Sequence, residues 1–257
     1  MGRFKNLFGW ELGDSLRLLL FLLGVPSLTY LLTVGYLKSQ WEVSSLSSRY
    51  PPVYTAGSPL GSITAIHLFD YPPLSAGFWV LLSLLVTLFS VMTLRYDREN
   101  GYALSVYALP FTKGEMFTAK VISALVLSLL SLYIPLLTVD VFPNADILEA
   151  VRGVVFTGQY LHLLVFATYF VLFSISTSVL FSVLLDNMFL AFIASFFLLV
   201  LPFFAGLSWP PFSFIPMLSR SLSWASPFGS TWLFWGVAVP AALLLLSGLI
   251  FTRRDVL

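Results

Sequence analysis

Long apolar runs broken by short polar stretches organise this chain, and their lengths predict its elements. The runs lie at about 16–37, 74–94, 112–139, 157–185, 188–204 and 230–251. Each approaches the roughly 20 residues that a helix needs to cross a bilayer, so six transmembrane helices are predicted in one domain covering 1–257. Before the first run, Phe4, Leu7 and Phe8 recur at i, i+3 and i+4 beside Arg3, Lys5 and Trp10, the pattern of an interfacial helix lying along a membrane. Asp14 or Ser15 is placed to cap the helix that follows, Pro26 predicts a kink near its middle, and Pro135 a bend in the third.

The connections differ in kind. Residues 38–73 are polar and turn-rich, with Tyr50-Pro51-Pro52 and Tyr71-Pro72-Pro73 as two proline turns, and read as a loop with extended pieces. Asp186-Asn187 reads as a tight turn. Residues 205–229 are too apolar for a free loop and too rich in proline for a spanning helix, which predicts a re-entrant or interfacial hairpin.

The stretch 95–120 is the one long polar interruption that carries helical order. Tyr102, Val106 and Leu109 fall at i, i+4 and i+7, on one helical face. Pro110 disfavours helix at Leu109, and Thr112-x-x-Glu115 is a capping box for a new helix starting at about Lys113. Two helices are therefore expected to meet at a corner near Pro110.

Composition narrows the class. With 58% hydrophobic residues, 10% charged residues and a mean hydropathy of +0.93, a soluble globule is excluded and an all-α membrane protein is predicted. The 25 Phe, 11 Tyr and 7 Trp suit lipid-facing and interfacial positions. A net charge near +1 gives no electrostatic reason to expect nucleic acid, and the absence of Cys removes disulfides and thiolate sites. Asn6 stands where a myristoylation signal needs Ser or Thr, and the first run reads as a retained span.

The basic residues orient the chain. Arg3, Lys5, Arg17, Arg95, Arg98, Lys113, Lys120, Arg253 and Arg254 fall on the side of the termini, against Lys38, Arg49, Arg152 and Arg220 opposite. The positive-inside rule then predicts cytoplasmic termini in a cell membrane, with 95–120 cytoplasmic as well.

Enzyme signatures are missing from the sequence: it has no phosphate-cradling G-x-x-x-x-G-K-[ST], no H-E-x-x-H and no G-x-S-x-G. No catalytic, metal or cofactor-binding residue is therefore assigned. His67 and Asp70 are three residues apart, a spacing that could chelate a metal but more often marks an ordinary surface pair. His162 lies toward the outer part of the fourth run, where it is either a substrate-path group or a hydrogen-bonded interfacial His. Asp140 and Asp186 fall at helix ends as caps rather than proton carriers. Ser174, Ser176, Thr177, Ser178 and Ser182 cluster in the fourth run, where small hydroxylated residues serve helix packing first and a polar lining second. His162, Ser174, Thr177 and Ser178 are the candidates for a substrate path.

The order Glu99-x-Gly101, an apolar helix, Pro110, Thr112-x-x-Glu115 and Lys120 resembles the cytoplasmic segment after the second span in permeases of type-2 ABC transporters. Ala119 stands where that family has Gly, and Asn100 where it often has a basic residue. The N-terminal helix, six spans and broken hairpin extend the resemblance over most of the chain. It implies a non-catalytic permease, an exporter in most of that family, which forms a homodimer or pairs with a similar permease. Separate cytoplasmic ATPase subunits, carrying ATP and Mg, would drive it through a coupling helix. Arg95, Arg98, Glu99, Gly101, Tyr102, Val106, Leu109 and Pro110 would receive that movement, with Thr112 and Glu115 as the helix cap. The rivals are a membrane scaffold or assembly subunit that uses the same stretch, and a membrane enzyme centred on His67, His162 and Asp70.

Overall fold

A computed structural model describes residues 2–47, 72–99, 111–141, 158–207, 209–214 and 227–253. Those residues form helices α1 (Gly2–Leu12), α2 (Ser15–Ser47), α3 (Pro72–Glu99), α4 (Lys113–Val141), α5 (Gly158–Leu184) and α6 (Met188–Phe204). A 3-10 turn (Phe212–Phe214) follows, then α7 (Ser230–Leu233), a π turn (Phe234–Ala238) and α8 (Val239–Arg253). No strand occurs among the described residues. Among the described residues, five helices are long and apolar enough to cross a membrane: Ser15–Val34, Gly77–Asp97, Lys113–Val139, Leu161–Leu184 and Ser230–Arg253. The all-α class is as expected, and this set of helices is compatible with a multi-pass membrane protein. Met188–Phe204 is a shorter apolar helix of 17 residues.

Local sequence sets the helix boundaries. The Asp14 carboxylate accepts the Leu16 amide at 3.0 Å and begins α2, which resolves the choice between Asp14 and Ser15. At the start of α4 the Glu115 amide donates to Thr112 Oγ1 at 3.2 Å, and the Thr112 amide donates to Glu115 Oε2 at 2.8 Å. This is the reciprocal capping box that the spacing predicts. The Asn187 side chain accepts the Leu190 amide and starts α6.

Three boundaries of α2 and α3 differ from the sequence reading. Helix α2 runs on to Ser47, into the stretch read as loop, and α3 starts at Pro72 and ends at Glu99, five residues beyond the predicted 94. Proline in a first helical turn is favourable because its missing N–H would lack a partner there in any case. The longer end of α3 has its own cause, which is the set of partners described below.

Burial ranks the helices. Of the span windows, 72% is buried for both Gly77–Asp97 and Leu161–Leu184, against 22% for Ser15–Val34 and 17% for Ser230–Arg253. So α3 and α5 form the centre, with the first and last spans at the periphery. Trp79 of α3 packs on Phe170 of α5 with ring centroids 4.7 Å apart. Phe212 and Phe214 turn inward from the 3-10 turn, onto Phe170 at 5.3 Å and onto Tyr169 and Trp232 at 6.1 Å. Fully burying one such side chain contributes about 1.5–3 kcal/mol.

The last span approaches α5 closely at one glycine. A Cβ at Gly236 would stand 2.4 Å from the Tyr169 ring, so only glycine lets the backbone lie there. Pro240 has no N–H to return to the preceding turn, and the ladder widens there into the π turn, with the Val239 amide donating to the Phe234 carbonyl.

Of the predicted hairpin at 205–229, residue 208 and residues 215–226 lie outside the described residues, as do the coupling helix at 102–109 and the Tyr-Pro-Pro turn at 50–52. His67 and Asp70 also lie outside them.

Candidate functional site

The last two turns of α3 carry the densest polar chemistry in the described chain. Thr93 and Asp97 are one helical repeat apart and share a face, as do Arg95 and Glu99. At about 100° per residue the two pairs point about 200° apart, so they serve opposite sides of the helix.

The first face meets a buried ionic cluster. Lys120 of α4 places Nζ 2.6 Å from Asp97 Oδ2 and donates to the Thr93 carbonyl at 3.0 Å. The same Nζ lies 2.8 Å from Glu11 Oε1, a close ionic contact without hydrogen-bond alignment. Glu11 Oε2 accepts from Arg17 Nη1 at 3.0 Å, and Arg17 reaches Thr93 Oγ1 at 3.3 Å and Asp14 Oδ2 at 3.1 Å. Glu11, Arg17 and Lys120 are each below 5% exposed, which makes this an interior cluster rather than a surface one. Charges removed from water are tolerable only with such mutual pairing. Four helices converge on it: α1 through Glu11, α2 through Arg17, α3 through Thr93 and Asp97, and α4 through Lys120.

Asp14 sits at the rim, outside the spans. Burial pushes its carboxyl up, but the Arg17 charge and hydrogen bond, with the Leu16 and Arg17 amides, hold it below the usual aspartate range.

The second face holds the other half of the bundle. Arg95 Nε donates to the Ser182 carbonyl of α5 at 2.5 Å, and Nη2 lies 3.8 Å from Asp186 Oδ1 in the turn before α6. The Glu99 carboxylate accepts the Met188 amide at the first turn of α6, where a negative charge is favoured by the helix dipole. Asp186 therefore pairs with Arg95 at a helix end, in accord with an end position rather than a buried proton carrier.

Several predicted site residues can now be placed. Arg95 is only 3% exposed and engaged within the chain, so it offers no outward surface. Glu99 is exposed yet bound to α6. Arg98 belongs to α3, but its side chain lies outside the described residues, as do Gly101, Tyr102, Val106, Leu109 and Pro110. Thr112 and Glu115 form the expected cap.

The hydroxyls of the fourth span line the contact between α3 and α5. Ser174, Ser178 and Ser182 are buried and donate to carbonyls one turn back, and Ser178 reaches Thr87 Oγ1 of α3 at 3.4 Å. Ser176 donates to the Phe173 carbonyl. These hydroxyls are engaged by carbonyls of their own helix. Thr177 instead borders an apolar groove of about 630 Å3 between α5, α6 and the last span, with Phe173, Leu199, Trp209 and Trp235 among its walls. His162 stands at the far end of α5 with its ring edge-on to Phe228 at 6.3 Å. No group of three or more metal-ligating side chains occurs among the described residues.

The ionic cluster was not read from sequence. Its signal was nonetheless present: Glu11, Arg17 and Lys120 border or interrupt apolar runs in a chain with few charges, and such residues need partners. No known protein-family model and no curated protein matches this chain.

Proposed function

We propose that the chain is the transmembrane permease subunit of a type-2 ABC transporter, an exporter driven by ATP hydrolysis on separate cytoplasmic ATPase subunits. In this reading six spans cross the cell membrane, with Met188–Phe204 as the fifth and both termini cytoplasmic. Residues 205–229 form a re-entrant hairpin. The chain performs no catalysis, ATP and Mg reside on the partner, and the permease works as a homodimer or with a similar subunit.

The observation that supports this reading is the two-sided anchorage at the end of α3. One face ties to α4 and α1 through Lys120 and to α2 through Arg17, and the other ties to α5 and α6 through Arg95 and Glu99. Residues 100–110 leave directly from this point and return at the Thr112 cap, so a load applied to them reaches both halves of the bundle. A partner transmits work only if it holds that stretch differently in its two nucleotide states. With Arg95 and Glu99 engaged internally, the receiving surface is assigned to 100–110, principally Gly101, Tyr102, Val106, Leu109 and Pro110, with Arg98 at its edge.

The test is to isolate the tagged full-length chain from its native membrane, reconstitute it in vesicles and assay ATP hydrolysis and ATP-dependent efflux. Both activities are expected with the unaltered chain, and Tyr102→Asp with Leu109→Asp is expected to abolish them. A stable complex that hydrolyses no ATP supports a scaffold instead.

A further inference from the structure

We propose that Glu11 is a positioning residue that makes α1 a moving part of the coupling unit, carried as one body with the end of α3 and the start of α4. Its functional consequence rests on the permease reading, whereas its geometry does not. Leu7 of α1 is buried against Met116 and Ala119 of α4, with Phe111 packed beside them. That apolar contact alone would let α1 slide or roll. The Glu11 carboxylate, 1% exposed, divides its two oxygens between Lys120 of α4 and Arg17 of α2. Lys120 is held in turn by Asp97 and by the Thr93 carbonyl of α3. One carboxylate thus fixes the rotation and register of α1 against α4 and α2, with α3 reached through Lys120, which is more than adsorption to a lipid surface requires.

The positions of these groups along the chain give the lock its meaning. Asp97 lies three residues before residues 100–110 and Lys120 ten residues after them, inside α4. Displacement of that stretch moves both, and Glu11, bound through Lys120, brings α1 with them. The outward side of α1 carries Lys5, Asn6 and Trp10, all exposed. Movement of α1 therefore shifts a polar and aromatic face at the same end of the bundle.

The chain contains no cysteine, so a pair of spin labels can be placed by Asn6→Cys and Thr118→Cys, both at exposed positions. The labelled full-length chain is measured in lipid nanodiscs without any ATPase. One narrow distance distribution is expected, retained in Lys5→Gln on the outer face and broadened in Glu11→Gln. A broad distribution in the parent chain, or an identical narrow one in Glu11→Gln, overturns the lock. Should Glu11→Gln fail to fold, hydrogen exchange on the parent chain decides: the lock needs α1 amides as protected as those of 113–120, and exchange at the rate of free peptide overturns it.

A second arm uses the complex with its ATPase. Glu11→Gln is expected to keep the ATPase bound while lowering substrate moved per ATP by about tenfold. An unchanged ratio overturns the transmission role. Absence of any ATPase from the parent chain overturns the permease reading and that role with it, while the spin-label arm still decides whether α1 is locked.

Discussion

Lys120 and Asp97 meet at 2.6 Å although 23 residues separate them, and the stretch they enclose is the one that breaks the apolar pattern between the second and third spans. Their pairing fixes the end of α3 to the start of α4, on either side of residues 100–110. Because the same ammonium also contacts Glu11, this junction is shared with the N-terminal helix.

Removing Lys120 leaves Asp97 without its ammonium partner and Glu11 held by Arg17 alone, in a site largely closed to water. Lys120→Met is expected to destabilise the fold by about 3–5 kcal/mol, the range for breaking a buried ion pair on one side. Adding Glu11→Gln and Asp97→Asn is expected to recover part of that loss, since the orphaned charges disappear. Thermal or denaturant unfolding in detergent micelles checks both variants.

Gly236 allows the last span to lie on Tyr169. Gly236→Ala is expected to cost about 1–3 kcal/mol through overpacking, and Tyr169→Leu in the same chain to relieve part of it. Unfolding midpoints of the two single variants and the double variant measure the coupling.

Asp14 gives a pH signature with a defined sign. Its carboxyl is held below the usual range in the folded chain: burial raises it, and the Arg17 charge and hydrogen bond together with the Leu16 and Arg17 amides bring it lower. A depressed folded value contributes stability that is present above the unfolded pKa of about 3.9 and is lost as pH falls through the folded value. Asp14→Asn is therefore expected to be less stable than the parent chain at pH 5 and above, with the gap closing in acid. Melting curves across pH 2.5–6 would show a constant gap if the carboxylate carried no such role.

The start of α4 depends on a reciprocal cap. Thr112→Ala is expected to cost about 1 kcal/mol, while Thr112→Ser is expected to stay close to the parent. Equal stability of the Ala and Ser variants would mean that the hydroxyl does not hold the helix end.

Local signals were legible in the sequence where partners are near in the chain. The Thr112 and Glu115 cap, the Asp14 cap and the apolar runs all express distances of a few residues, and the structure places helix ends close to them. The end of α3 was misread because Arg95 to Glu99 looks like a solvated connection until Ser182, Lys120 and Met188 are brought to it from far along the chain. Arg95 was expected to face a partner for the same reason, since nothing near it in sequence announces that Ser182 and Asp186 occupy its guanidinium. Glu11 is hidden by position: a single acid at the end of a short amphipathic helix reads as a side chain in water, and its burial depends on Arg17 and Lys120 together.

The most direct measurement of the central claim is ATP-dependent efflux by the full-length chain, isolated with its bound subunits from the native membrane and reconstituted in vesicles. The account predicts vanadate-sensitive ATP hydrolysis coupled to efflux, with both lost in Tyr102→Asp with Leu109→Asp and the helical bundle still folded. Intact complexes in which no subunit hydrolyses ATP, or in which hydrolysis and efflux are indifferent to those substitutions, would contradict it.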